Sequence, residues 1–249
     1  MAYDLSSIMI GAEPRKPIIV IHGEPGVGKT TFAAGAEKVI FIRAEDGIAS
    51  MRVPTFPLVK TFSDIMEAMA TLCTEEHGFK TLVVDSLSSM ESIIWSDVCA
   101  ENNVDNIEEI GYGKGYVFAL RQWKKFLKAC EHLSREGMTI VLIAHTKINR
   151  IDPPTGAAYS RYEVRLHDKA REIIEQTSDI IGFAHQPVTV SIGNNEKTGK
   201  GKGIKPRELM LIGGPSASAK GRDNMPTSIE LDWNEFAPLI ENYGEKENG

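Results

Sequence analysis

The sequence predicts an α/β fold: a mostly parallel sheet flanked by helices, with an antiparallel extension near the C-terminus. Three observations carry this. Short apolar runs recur along the chain. They are continuous rather than alternating, which suits strands covered on both faces. Amphipathic stretches of helical period lie between them. The first run leads into Gly23-Glu24-Pro25-Gly26-Val27-Gly28-Lys29-Thr30. That octet fits G-x-x-x-x-G-K-[ST] in the strand–loop–helix setting the pattern needs.

The first strand is Pro17-Ile18-Ile19-Val20-Ile21, and the helix after the loop runs from Thr30 to Glu37. The loop glycines let backbone N–H groups turn inward and cradle phosphate oxygens. The helix N-terminus adds its positive dipole end. Residues Gly23 to Thr31 are therefore the expected nucleotide-binding set, with Lys29 reaching the β- and γ-phosphates and the Thr30 hydroxyl holding Mg²⁺. ATP and Mg²⁺ are the expected cofactors.

The second strand is Val39-Ile40-Phe41-Ile42, followed by a helix from Ser63 to Glu75. The third is Thr81-Leu82-Val83-Val84, and it ends on Asp85. An acidic residue there places a carboxylate for Mg²⁺ beside the phosphate loop. Ser86 assists by hydrogen bonding. The competing role for Asp85 is to cap the next helix, predicted over Ser88 to Asn102. A longer helix, Tyr116 to Arg135, spaces Phe118, Leu120, Trp123, Phe126, Leu127 and Leu133 for core packing. The fourth strand, Thr139 to Ala144, ends on His145, placed to touch the γ-phosphate and report it to the following loop. A local hydrogen bond is the plainer role for that histidine. Ile180 to Ala184 is the fifth strand. Val188 to Ile192 and Glu208 to Ile212 read as strands joined by a polar loop, with Ser228 to Leu231 as another, all extending the same sheet antiparallel. The chain divides into an N-terminal segment (1–16), one nucleotide-binding domain (17–242) and a flexible tail (243–249).

The 249 residues can bury a full core. A net charge of −6 excludes a generally basic nucleic-acid binder, so phosphate contacts must come from local patches. Cys73, Cys99 and Cys130 form no C-x-x-C pair, which argues against a zinc site or a disulfide framework. No apolar run approaches the ~18 residues of a membrane span. Met1-Ala2-Tyr3-Asp4 lacks the basic start and apolar core of a signal peptide, so a cytoplasmic location is expected.

Hydrolysis needs a group that orients and deprotonates water. Ser86 stands where many P-loop ATPases carry a glutamate, directly after the strand-ending aspartate. The alternative place is the end of the strand after the phosphate-loop helix. Phe41-Ile42-Arg43-Ala44-Glu45-Asp46-Gly47 offers Glu45 there, with Asp46 as nearest competitor.

In these positions the chain resembles the RecA-type recombinase core, and specifically the compact phage-encoded nucleotide-binding proteins that act in single-strand annealing and recombination. The matching residues are Gly23 to Thr30, Ala44-Glu45, Asp85-Ser86 and His145, where RecA has a glutamine. Lys220 and Arg222, in Ala219-Lys220-Gly221-Arg222, match two basic residues that in RecA-type filaments reach the neighbouring subunit's ATP. The resemblance spans roughly Pro17 to Leu239. It implies a RecA-like P-loop NTPase core. It also implies self-association as a ring or filament with ATP at subunit interfaces, single-stranded DNA as partner, and a single-strand-binding protein as a further one. The chain departs from RecA in lacking an evident N-terminal oligomerisation segment and a C-terminal domain, which puts long filaments and strand exchange in doubt.

Two loops leave the carboxyl side of such a sheet, where ligands bind. The first, Val104 to Tyr116, offers Tyr112, Lys114 and Tyr116 for single-strand contact, against Asp105, Glu108 and Glu109. The second, Thr146 to Ala170, reads as long and irregular and holds Lys147, Arg150, Arg161, Arg165 and Lys169. A basic glycine-rich stretch, Glu196 to Arg207, adds Lys200 and Lys202. Solvated loops are the plainer reading of all three. Two rival functions stay open: a helicase or packaging-type motor on the same core, and a nucleotide-gated protein-interaction module with little hydrolysis.

Overall fold

The computed structural model describes residues 14–47, 51–191, 200–203, 206–222, 224–241 and 243. Their main body is an eight-stranded, mostly parallel sheet with helices on both faces. Strands β1 (Ile18–Gly23), β2 (Val39–Arg43), β3 (Thr81–Asp85), β4 (Thr139–Ile151) and β6 (Ile180–His185) form its parallel part in the order β6-β1-β4-β3-β2. β9 (Glu208–Met210) and β10 (Ser228–Glu230) add antiparallel to the β6 edge. All six residues of β1 are buried, as its continuous apolar run requires.

Alternate side chains of each strand enter separate cores. Ile18 and Val20 face α2 (Phe62–Thr74), α3 (Leu87–Glu101), α4 (Lys114–Arg135) and α5 (Asp168–Thr177). Ile19 and Ile21 face α1 (Lys29–Ala34) and α6 (Trp233–Ile240). On that second face Phe32 meets Trp233 and Phe236 edge-on, with centroids 5.2 and 5.6 Å apart. Phe236 is fully buried, so truncating it to alanine would cost about 3–5 kcal/mol and loosen the phosphate-loop helix. α2 begins on a capping box in which Thr61 and Asp64 satisfy each other's backbone N–H groups.

The expected strands and the three long helices are present, within a residue or two at most ends. The segment predicted as an irregular loop from Thr146 is the main departure. β4 continues to Ile151 and pairs antiparallel with β5 (Tyr159–Val164), and α5 follows. This hairpin projects past the covered sheet, so its strands are polar and show no continuous apolar run. A second departure concerns β7 (Val188–Ser191). It pairs with β8 (Lys200–Gly203) in a separate two-stranded sheet rather than extending the main one. α1 stops at Ala34, shorter than predicted, with Gly35 as its cap. A β-carbon on Gly35 would lie 2.8 Å from that of Trp233, so α6 sits hard against this helix end. α6 itself escapes prediction because Pro238 lies inside it. Residues 1–13 of the expected N-terminal segment and 244–249 of the expected tail lie outside the described residues, as does Ile192. Among the described residues no helix is long and apolar enough to cross a membrane.

Candidate active site

The phosphate loop joins β1 to α1, and two neighbours dictate its glycines. Gly23 approaches β6 so closely that a β-carbon there would lie 2.3 Å from the Ala184 carbonyl oxygen. Gly28, the N-cap of α1, has φ 108°, a left-handed conformation that a side chain strains. Lys29 is buried, and its ammonium donates to the Gly23 and Glu24 carbonyls, both at 2.9 Å. Desolvation lowers its pKa. Thr31 stands exposed on the first turn of α1.

The Thr30 hydroxyl donates to Asp85 Oδ2 at 2.8 Å. Asp85 is buried at the end of β3, and that burial pushes its carboxyl upward despite the threonine bond. Ser86, not Asp85, caps α3, accepting from the Ser89 N–H. A hydroxyl beside a carboxylate suits a hard cation that keeps most of its ligands as water and phosphate. Among the described residues no group of three or more His, Cys, Asp or Glu could enclose a metal. The residues therefore fit a Mg²⁺ carried in with a nucleotide, which Thr30 and Asp85 would hold.

Glu45 follows β2 and turns toward this pair. Its Oε2 accepts from Ser86 Oγ at 3.1 Å and Ser89 Oγ at 2.5 Å, and lies 3.5 Å from His145 Nε2. The hydrogen bond from His145, followed by those from the serines, holds its pKa down to about 2. Asp46 instead pairs with Arg43 at 3.6 Å and stays exposed. His145 is fixed through its backbone. Its N–H donates to Ser88 Oγ at 3.0 Å, and its carbonyl accepts from Arg165 N at 2.9 Å. Its Nδ1 is buried with no partner among the described residues.

Lys220 and Arg222 are not brought to this chain's phosphate loop. Lys220 pairs through its backbone with Ile181, which lies level with Val20, below the loop. Its ammonium donates to the Glu175 and Ser178 carbonyls at the end of α5, at 3.2 and 2.6 Å. The Arg222 guanidinium lies over the Tyr243 ring, 4.1 Å from its centroid.

The expected DNA-contact residues are scattered. Tyr112 is fully exposed, and Lys114 opens α4. Tyr116 is committed to packing, stacked on His167 at 4.4 Å. On the β4–β5 hairpin, opposite residues share a face. Lys147 and Arg161 share theirs with Asn149 and Glu163, while Arg150 faces the other way with Ile148 and Tyr162. Lys147 donates to the Leu166 carbonyl at 3.1 Å and lies 3.4 Å from Asp168. Arg150 is exposed and, among the described residues, pairs with Asp152 at 3.3 Å. Arg165 is exposed, and Arg161 is half-buried. β8 carries Lys200 and Lys202, whose side chains lie outside the described residues.

Three further residues gain a place in the site only through the fold. Ser89 grips Glu45, and its position one helical turn after Ser86 is the signal for it in the sequence. His22, directly before the loop, is fully buried between Ser218 O (2.7 Å) and Thr146 Oγ1 (3.3 Å), and desolvation lowers its pKa to about 4. Arg207, just before β9, reaches Gly28: a β-carbon there would lie 3.0 Å from Arg207 Nη1. Beside the loop crest is a cavity of about 740 Å³, lined by Glu24, Gly26, Phe183, His185 and Arg207.

A family model described as an AAA domain matches residues 15–222. No curated protein matches the chain.

Proposed function

The chain belongs to this AAA-domain family of P-loop ATPases, and from that premise we propose a RecA-type, Mg²⁺-dependent ATPase that binds single-stranded DNA. The placement of Glu45 carries the proposal. The carboxylate available to water comes from the end of β2, and the residue after Asp85 is a serine that binds it. Bound Mg²⁺ supplies charge neutralisation on the transferred phosphate. The protein's own share is positional. Lys29 faces the phosphates, Thr30 and Asp85 would hold the metal side, and Glu45, ionised before the attack, orients the water and takes its proton. His145 touches Glu45 and continues into the hairpin, so it links nucleotide and hairpin.

Single-stranded DNA is the partner that Arg150, Tyr112 and the basic stretch of β8 would meet. Self-association is part of the proposal: Lys220 and Arg222, placed away from their own loop, serve a neighbour's ATP, with Lys220 exchanging its two carbonyls for phosphate. ATP-dependent assembly on the strand then supports annealing or recombination, with a single-strand-binding protein as companion. The deciding measurement is hydrolysis with and without single-stranded DNA, beside a Lys29→Ala control. No stimulation and no binding at low salt would remove the DNA half. Normal hydrolysis by Lys29→Ala would remove the enzymatic half.

One observation favours a second reading, a nucleotide-gated interaction module. With three donors on one oxygen and a pKa of about 2, Glu45 as held is a weak base. Nucleotide-dependent partner binding with negligible turnover, and no DNA effect, would support it.

A further inference from the structure

We propose that Arg207 is a phosphate-contacting residue of the nucleotide site, supplied in cis by the antiparallel extension of the sheet. The assignment rests on the nucleotide-binding reading above and adds a residue that no loop motif contains.

Placement is the first argument. The Arg207 stem and guanidinium lie across Gly28: a β-carbon on that glycine would be 3.0 Å from Nη1 and 4.0 Å from Cδ. A side chain there would make the guanidinium give by a few tenths of an ångström, in addition to the backbone strain at φ 108°. The second argument is anchorage. The Arg207 carbonyl accepts from Leu231 N at 2.8 Å, and the next three residues form β9 between β6 and β10. Leu231 itself reaches Gly28, with Cδ2 3.6 Å from the same β-carbon position. A strand paired on both sides thus fixes the backbone from which the side chain crosses to the loop. The third argument is charge. Among the described residues Arg207 forms no ion pair, and it is the cation lining the 740 Å³ cavity at the loop crest. A cavity of that size is within the range of nucleotide sites. Lys29, whose ammonium holds two loop carbonyls, supplies one cation, and the several charges of a triphosphate leave room for a second. A guanidinium offers them a planar fork of donors that an ammonium lacks.

In sequence Arg207 closes the basic stretch beginning at Glu196, from which Lys200 and Lys202 read as the DNA contacts. For Arg207 the geometry points to the nucleotide instead. The test is ATP and ADP affinity by calorimetry on the full chain, for wild type, Arg207→Ala, Arg207→Lys and Lys29→Ala. Arg207→Ala should weaken ATP binding about 10- to 100-fold, the usual worth of a charged hydrogen bond. Arg207→Lys should recover part of it. A loss for ATP that exceeds the loss for ADP assigns the contact to the terminal phosphate; equal losses assign it to the inner ones. Arg207 is exposed, so the alanine protein should melt with the wild type, which separates lost contact from lost fold. ATP affinity within twofold of wild type in Arg207→Ala, while Lys29→Ala binds poorly, overturns this assignment alone. An Arg207→Ala protein that loses only DNA affinity also overturns it. A wild type that binds no nucleotide overturns both this and the reading beneath it.

Discussion

Glu45 and His145 meet over the end of β3: Oε2 and Nε2 lie 3.5 Å apart, although one residue follows β2 and the other belongs to β4. The strand between them carries Asp85. Side chains from β3, β4 and the residues just after β2 therefore converge at the carboxyl end of the parallel strands, beside Thr30.

Glu45→Gln should keep nucleotide affinity and lose turnover. The amide is isosteric but cannot take a proton, and general-base catalysis is worth about 10²–10⁴-fold. Single-turnover hydrolysis beside a binding isotherm separates the two effects. Equal turnover would move the role elsewhere, with Asp46 the next residue to test.

Glu45 also links stability to pH. Its folded pKa is depressed to about 2, so its contribution is full above the unfolded value and is lost as pH falls from about 4.5 toward 2. The difference in urea midpoint between wild type and Glu45→Gln should shrink across that window. Ser89→Ala, which removes the shortest bond to the carboxylate, should reduce the wild-type advantage at pH 7.

His22 acts in a higher window. It is buried neutral with a pKa near 4, while the unfolded chain titrates near 6.5. The unfolded state therefore gains a proton first as pH drops. Stability is full above about 6.5 and falls until about 4, by roughly 3 kcal/mol. In His22→Gln, thermal melts should show that slope flattened.

Thr30→Ala should raise the Mg²⁺ concentration needed for half-maximal hydrolysis and lower stability by about 1–3 kcal/mol, because Asp85 keeps its burial and loses its hydrogen bond. A magnesium titration and a denaturant curve on one preparation check both. Unchanged magnesium demand would leave Thr30 with a purely structural role.

On the hairpin, Arg150→Ala should weaken single-strand binding and flatten its dependence on log salt by about 0.7, the slope of one lost phosphate contact. Lys147→Ala should do less, since its ammonium is already shared by Leu166 O and Asp168. Anisotropy across a salt series distinguishes them.

For the shared site, mixing Lys220→Ala with Glu45→Gln protein should restore part of the hydrolysis that each lacks alone, through interfaces that combine the intact halves. Complete absence of rescue would assign Lys220 to the end of α5, where its two carbonyl bonds already place it.

The covered parts of the fold were open to sequence reading because burial on both faces writes itself as unbroken apolar runs, as in Ile18 to Ile21 and Leu82 to Val84. The β4–β5 hairpin was not, because strands in solvent carry Lys147, Asn149 and Arg150 and look like a loop. Within the site, Lys29, Thr30 and Asp85 announce themselves by position. Ser89 and Arg207 do not. One acts a helical turn beyond a motif, and the other returns from about 180 residues downstream beside strand β9, a proximity that only pairing can create.

β4 runs thirteen residues without a break, from a paired position beside β1 to the far end of the hairpin, with His145 near its middle. At about 3.3 Å per residue that is a rod some 40 Å long. If it stayed rigid it would act as a lever pivoting where it leaves the parallel sheet, just past His145. A small tilt there would sweep the tip through a larger arc, and a load on the tip would reach Glu45 through its 3.5 Å contact with His145. A joint inserted just past the fulcrum, such as two glycines at Thr146 and Lys147, would leave each end intact while the one no longer moved the other.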